Sequence, residues 1–466
     1  MERNALKSHL KNMLGPDKVL TEDLDLLYYS YDSSFLTKLQ MVSPDVVVLP
    51  RSTEDVQKVM QFAFEHRIPV TPRGAGTGET GGSAPLSGGI VLDLSAWDEI
   101  VEVDAANMQV TVRPGVIHSD LNDHLAAYNM FFPPDPGSSK MCTIGGMVAN
   151  NASGLRAVKY GCTEQYVLGL EVVLPDGRVI TTGGMKSKAI KNVSGLNLTK
   201  LFVGSEGVLG VITRIRLRCF PKPKSRGIVM AVFDNLDDAP ATVLEVYREG
   251  ILPSGIEILD SSAIRAVNAF KPHINLPDAE AILLFEVDGN PPSVEWEGTT
   301  IVKIAEKRAR QVEWSTEPKR MAALWEGRSV TAAAAARVRP DGSRIFAGED
   351  IAVPLSGVAE ALRRIRALGE KHGIQVVNYG HIGDGNVHTA PVIDPENPAE
   401  VEKVMELVHD IHLLAIELQG TTTGEHGVGA VRREYARLEH GPAVDVMQSI
   451  KKALDPYNIM NPGKLF

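Results

Sequence analysis

The sequence predicts a two-domain α+β protein, on three observations. Short apolar strands and three glycine-rich passages crowd residues 45–220. Longer strands alternate with amphipathic helices from 228 to about 420. Between them, Pro221-Lys222-Pro223-Lys224 marks a change of composition suited to a domain boundary. The expected division is 1–220, 221–420 and a closing segment, 421–466.

Taken in order, 45–49 reads as an apolar strand, and Ser52 caps a helix whose buried face carries Val56, Val59, Met60 and Ala63. A strand at 68–71 completes a β-α-β unit and runs into the first glycine loop. Short strands are expected at 89–94, 101–103 and 109–112. In the second region, strands at 228–233, 281–287 and 374–379 precede a helix over about 398–419, with Val401, Val404, Val408, Ile411 and Ala415 as its apolar stripe. The alanine-rich stretch 331–336 favours helix.

The 466 residues carry 48 Lys+Arg against 58 Asp+Glu, a formal charge of −10, so no basic field is offered to nucleic acid. No apolar run approaches the roughly 18 residues that suggest a membrane span. The opening MERNALKSHLKNML is charged throughout, and a cytoplasmic location is expected. Cys142, Cys162 and Cys219 are scattered and form no CxxC pair, which argues against a disulfide framework and an iron–sulfur site.

Arg73-Gly74-Ala75-Gly76-Thr77-Gly78 follows a strand, as a phosphate-binding turn does, but more glycines come where a Rossmann helix would start. Its backbone N–H groups can converge on a diphosphate, with Arg73 as a charge partner. Two further passages, SSKMCTIGGMVANNASG and VGSEGVLGVIT, reinforce the picture of a chain wrapped closely around an extended ligand.

PRGAGTG, the PPDPGS…TIGGMVANNASG passage with KYG behind it, GSEGVLGVIT and the terminal NPGK together resemble the FAD domain of the vanillyl-alcohol oxidase/p-cresol methylhydroxylase superfamily. The resemblance implies a two-domain FAD-binding fold with an α/β cap, and a segment 421–466 that returns to the FAD domain. It implies FAD contacts from Arg73, Gly74, Ala75, Gly76, Thr77 and Gly78, and from Pro134, Asp135, Gly137, Ser138, Thr143, Gly145, Gly146, Asn150, Ser153, Gly154 and Gly161. A third group comprises Glu206, Gly207, Gly210, Val211, Ile212 and Asn461. Some members attach FAD through a histidine in the first loop. Residues 71–88 contain none, so non-covalent FAD is expected.

The sharpest local signal is YGHIGDGNVH, 379–388. With Asp384-Gly385 as a two-residue hairpin turn, His381 faces His388 on one side of the sheet. Two imidazoles so placed can reach one metal, and Glu425-His426 in a glycine loop can supply a third ligand. GHIGDGNVH and TGEHGVG resemble the C-terminal domain of FAD-linked 2-hydroxyacid dehydrogenases. That resemblance implies a divalent metal (Zn, Fe or Mn) on His381, His388 and Glu425, with His426 as general base. It also implies that Arg328, in Trp325-Glu326-Gly327-Arg328, holds the substrate carboxylate.

The chain departs from the D-2-hydroxyglutarate branch at Ala332, Gly348 and Ala390, where that branch carries threonine, lysine and asparagine, and Glu349-Asp350 is closer to the lactate/glycolate branch. The expected substrate is therefore a small 2-hydroxy acid, D-lactate or glycolate, with D-2-hydroxyglutarate as the alternative. With neither a cysteine cluster nor a second nicotinamide-type fingerprint, the electrons are expected to pass to an electron-transferring flavoprotein or an iron–sulfur subunit. Two further readings are a metal-dependent hydrolase with the glycine loops as scaffold, and an electron-transfer subunit that turns over no substrate.

Overall fold

The computed structural model describes residues 2–345 and 350–466. Its chain divides into two compact units. The first comprises 1–153, 162–222 and 426–466, and the second comprises 154–161 and 223–425.

In the first unit, the strands Val46–Val48 and Val70–Arg73 both run parallel to Ile90–Asp93, which lies between them. The expected β-α-β unit thus has a third strand inserted at its centre. Val46–Val48 and Ile90–Asp93 are buried throughout and Val70–Arg73 at all but Pro72, as parallel strands covered on both faces are. The helix Thr53–His66 starts where the Ser52 hydroxyl accepts from Asp55 N–H at 3.1 Å, and it ends at Arg67 in the left-handed conformation. It buries Val56, Val59, Met60 and Ala63 as the sequence indicates, and Phe62 besides. A second, antiparallel sheet has the order Ile100–Asp104, Gln109–Val112, Val211–Arg218, Val167–Val173, Val179–Thr181. The C-terminal segment returns to the first sheet, where Asn461 N–H donates to Val70 O at 2.8 Å.

The second unit is built on one sheet, in the order Gln311–Ser315, Ser225–Phe233, Ala281–Gly289, Gly255–Asp260, Gln375–Gly380, Asn386–Ile393, Ser343–Arg344, with Asp350–Ala352 also paired to Asn386–Ile393. Every strand pair described in it is antiparallel. The helix Pro398–Glu417 buries Val404, Val408, Ile411 and Ala415, while Val401 is half-buried. Residues 154–161 join this unit through buried charge. Arg156 forms a two-pronged bond to Glu286 (2.8 and 3.0 Å), and Lys159 and Tyr160 bond Asp288 at 2.7 and 2.8 Å.

Candidate active site

The first and second glycine loops touch at Gly74, where there is no room for a side chain. A Cβ at Gly74 would overlap the Thr143 hydroxyl, and one at Gly145 would lie 2.6 Å from Pro114 Cβ. Thr143 caps the helix Ile144–Asn150, its hydroxyl accepting from Gly146 N–H at 3.2 Å. Gly76 has φ +70°, and the Arg73 side chain fills the space where a Cβ would project. Ala75, Thr77 and Gly78 complete that loop, with Gly78 beside Asn150. Pro134, Asp135, Gly137 and Ser138 lie in the approach to Thr143, where Ser138 O accepts from the N–H groups of Met141 and Cys142.

Three residues expected at the cofactor have structural duties in the protein. Arg73 is buried, and its Nη1 donates to Tyr31 O at 2.7 Å and Ser83 O at 3.4 Å, so its guanidinium braces the loop from beneath. As a diphosphate partner it would have to share those bonds. Glu206 is buried with φ +48°, and its carboxylate accepts from Val428 N–H (2.8 Å) and Gly429 N–H (2.6 Å). Burial raises its pKa against the pull of those two bonds. Asn461 donates to Gly82 O and Glu206 O, both at 2.8 Å, and so ties the first and third loops to the C-terminus. Its Oδ1 is buried and has no hydrogen-bond partner among the described residues. Gly207 at φ +72° packs on Pro72, and Gly210 lies 2.8 Å (as Cβ) from Val172. Val211 and Ile212 are strand residues, paired with Val173 and Val172. Ser153 is buried in the first unit, whereas Gly154 and Gly161 bound the segment held by Glu286 and Asp288 in the second. Tight glycine loops and an unpaired buried amide oxygen fit a closely wrapped dinucleotide such as FAD.

In the second unit the histidine hairpin differs from its expected register. Tyr379, not His381, stands opposite His388, and residues 381–385 form the connection. A 3₁₀ turn, Ile382–Asp384, closes on Gly385 at φ +81°, where a Cβ would overlap Val353 O. A turn followed by a left-handed glycine makes a longer loop than the two-residue type. The imidazoles still meet, with ring centroids 5.0 Å apart and planes at 90°.

Each ring has a carboxylate behind it. His381 Nδ1 lies 2.5 Å from Glu257 Oε1, and His388 Nδ1 lies 3.4 Å from Asp350 Oδ1. Their Nε2 atoms converge on one Glu425 oxygen, at 3.4 and 3.3 Å. Two imidazole nitrogens and a carboxylate oxygen, with the far side of each ring held by an acid, form a donor set that fits a divalent cation. Asp350 also offers an oxygen within 4.8 Å of donor atoms on His388 and Glu425. Burial works against charging either imidazole, but Glu257 and Glu425 raise His381 well above the usual histidine value, and Asp350 and Glu425 raise His388. Burial likewise opposes charge on Glu425, yet the two imidazoles hold it well below the usual carboxylate range.

Arg328, on the helix Pro318–Ala335, bonds the second oxygen of Glu257 through Nε, and its Cζ lies 4.8 Å from the Tyr379 ring centroid. His426 belongs to the first unit, where Nδ1 lies 3.5 Å from Glu79 Oε2. Ala332 and Ala390 belong to an apolar cluster, and Gly348 and Glu349 lie outside the described residues. Sequence reasoning missed Glu257 and Glu79. The signal for Glu257 was a carboxylate between two isoleucines within the strand Gly255–Asp260, which has to find a partner.

A family model described as "FAD binding domain" matches residues 44–183, and one described as "FAD linked oxidases, C-terminal domain" matches 222–465, more than half the chain. The chain belongs to the FAD-linked oxidases. It is 39% identical over 464 residues to the glycolate oxidase subunit GlcD of Bacillus subtilis (strain 168), covering 99% of this chain and 96% of that one. It is 36% identical to a probable mitochondrial D-lactate dehydrogenase of Danio rerio (91% and 84% covered) and 37% identical to a D-lactate dehydrogenase of Archaeoglobus fulgidus (90% and 91%). Among solved structures, 4-ethylphenol oxidase from Gulosibacter chungangensis superposes with a TM-score of 0.81 at 20% identity, and p-cresol methylhydroxylase with 0.80 at 18%; each match covers 99% of this chain and 96% of the other. These share its fold. As an FAD-linked oxidase, the chain is an FAD-dependent oxidoreductase, which replaces the hydrolase reading.

Proposed function

We propose that the protein is a dehydrogenase of small 2-hydroxy acids, D-lactate or glycolate, which it oxidises to the 2-oxo acid. The observation that carries this reading is the convergence of His381, His388 and Glu425 beside an arginine held by the same buried acid as His381. Such a set suits a molecule with a carboxylate next to a hydroxyl. When bound, FAD supplies the hydride acceptor, and a divalent cation (Zn, Fe or Mn) on His381, His388 and Glu425 supplies polarisation of the hydroxyl.

The protein's own groups do the rest. Arg328 receives the substrate carboxylate on its Nη groups, because Nε is engaged by Glu257. His426 takes the hydroxyl proton on Nε2, with Nδ1 turned to Glu79. The methyl side chains of Ala332 and Ala390, within an apolar cluster, give no anchor to a second carboxylate and favour a monocarboxylate. FAD is held without a covalent bond. The two electrons leave for an electron-transferring flavoprotein or an iron–sulfur subunit, and the protein works in the cytoplasm.

Anaerobic flavin bleaching tests the reading directly. D-Lactate or glycolate should reduce the flavin faster than D-2-hydroxyglutarate, and L-lactate should be poor. Faster bleaching by the dicarboxylate would overturn the substrate assignment, and no bleaching by any hydroxy acid would leave an electron-transfer subunit.

A further inference from the structure

We propose that Glu257 is a positioning residue serving both halves of the site, aligning the carboxylate-binding arginine and a metal-ligating histidine with one buried side chain. This rests on the function proposed above.

Glu257 sits in the middle of the strand Gly255–Asp260, between Ile256 and Ile258, and is completely buried. An ionised carboxylate in such a place is costly unless both oxygens are satisfied. Here each oxygen has its own partner. Oε1 meets His381 Nδ1 at 2.5 Å, and Oε2 accepts from Arg328 Nε. Neither partner is free to exchange roles, because Arg328 is also stacked on Tyr379, and His381 is also 3.4 Å from Glu425 through Nε2.

Two consequences follow from the donor chemistry. Because Glu257 accepts the Nδ1–H of His381, Nε2, the nitrogen facing Glu425, is the one left for a cation. And because Glu257 occupies Nε of Arg328, the guanidinium turns its Nη edge outward as the fork for a ligand carboxylate. Loss of Glu257 therefore damages cation binding and carboxylate binding together. Asp350 supplies the contrast. It backs His388 and has no bond to Arg328, so its loss should touch the cation alone.

The test uses the full-length, FAD-loaded protein and the variants E257Q, E257D and D350N. Zn²⁺ affinity is measured by competition with a chromogenic chelator. Pyruvate affinity is measured on metal-stripped protein, from the change in flavin absorption. E257Q should weaken Zn²⁺ by roughly 10- to 100-fold, the usual cost of losing an outer-shell partner. It should also weaken pyruvate several-fold. D350N should weaken Zn²⁺ comparably and leave pyruvate within about two-fold of wild type. E257D, which keeps the charge on a shorter arm, should recover part of both losses, and it carries the test if E257Q fails to fold.

An E257Q protein that loses only one of the two affinities, or neither, overturns the proposal. Equal loss of pyruvate binding in D350N overturns it as well, because the effect would then be general loosening of the site. If wild-type protein binds neither Zn²⁺ nor pyruvate, the functional reading beneath the proposal has failed instead.

Discussion

Asp350 accepts the backbone N–H of Glu425 at 2.9 Å through one oxygen, while its other oxygen lies 3.4 Å from Nδ1 of His388. One buried acid thus fixes the main chain of one proposed ligand and the ring of another. The ligand geometry comes from three separate strands and loops, and no single stretch of chain could hold it.

Removing a ligand should therefore have a separable effect. H388A and E425A should lose bound metal and turnover together, with FAD content unchanged, as read by elemental analysis beside the flavin spectrum. H426A should keep the metal and lose roughly 10²-fold or more in rate, the usual size of a general-base contribution. Full-rate oxidation by metal-free wild type would mean that the cation is incidental.

Glu79 stands in the first glycine loop, 3.5 Å from His426 Nδ1. A carboxylate at that nitrogen orients the imidazole so that Nε2 is the proton-accepting atom. E79Q should lower kcat several-fold with KM and FAD content little changed. An unchanged kcat would show that the contact has no part in orienting the base.

Much of this was legible in the sequence, and the failures have physical causes. The glycine loops could be read because a Gly-rich turn after a strand leaves few alternatives, and the stripe on Pro398–Glu417 because a helix repeats every 3.6 residues. The pairing of His381 with His388 came out right by proximity and wrong by register. Asp-Gly favours a tight turn, but Gly385 lies against Val353 O and closes a longer loop. Glu206 and Arg73 were read as cofactor contacts because their motifs adjoin the loops, and the bonds of their polar atoms to Val428, Gly429, Tyr31 and Ser83 were not legible there. Partners 42 residues from Arg73 and 222 or more from Glu206 cannot be read from spacing.

With no histidine in the first loop, FAD should leave the protein on denaturation. Acid precipitation should put all flavin absorption in the supernatant. Yellow colour retained in the pellet would reveal a covalent bond to some other residue.

None of the three cysteines forms a disulfide, and Cys142 and Cys219 are buried, with burial pushing the Cys219 thiol up to about 12. They offer no relay for electrons out of the flavin. The isolated chain should reduce an artificial dye in the presence of hydroxy acid and fail to reduce NAD. Rapid, stoichiometric peroxide formation would instead make it an oxidase.

Lys464 gives a pH dependence whose sign can be worked out. Its Nζ is buried beneath the first loop, donating to Gly81 O at 2.5 Å and Ala84 O at 2.7 Å. Burial brings its pKa down to about 8, although Asp32 and Glu206 pull the other way. In the unfolded chain the same group titrates near 10.4. Below pH 8 both states hold the proton, and no dependence arises. Between pH 8 and about 10.4 the unfolded chain binds more protons than the native one, so this residue's contribution to stability rises with pH. A shift of that size is worth at most about 3 kcal/mol. Denaturant titrations of wild type and K464M at pH 8 and pH 10 should show the wild type gaining relative to the variant at the higher pH. A difference that stays flat or shrinks would mean that the lysine keeps its proton in the folded protein, held by Asp32 and Glu206 against the cost of burial.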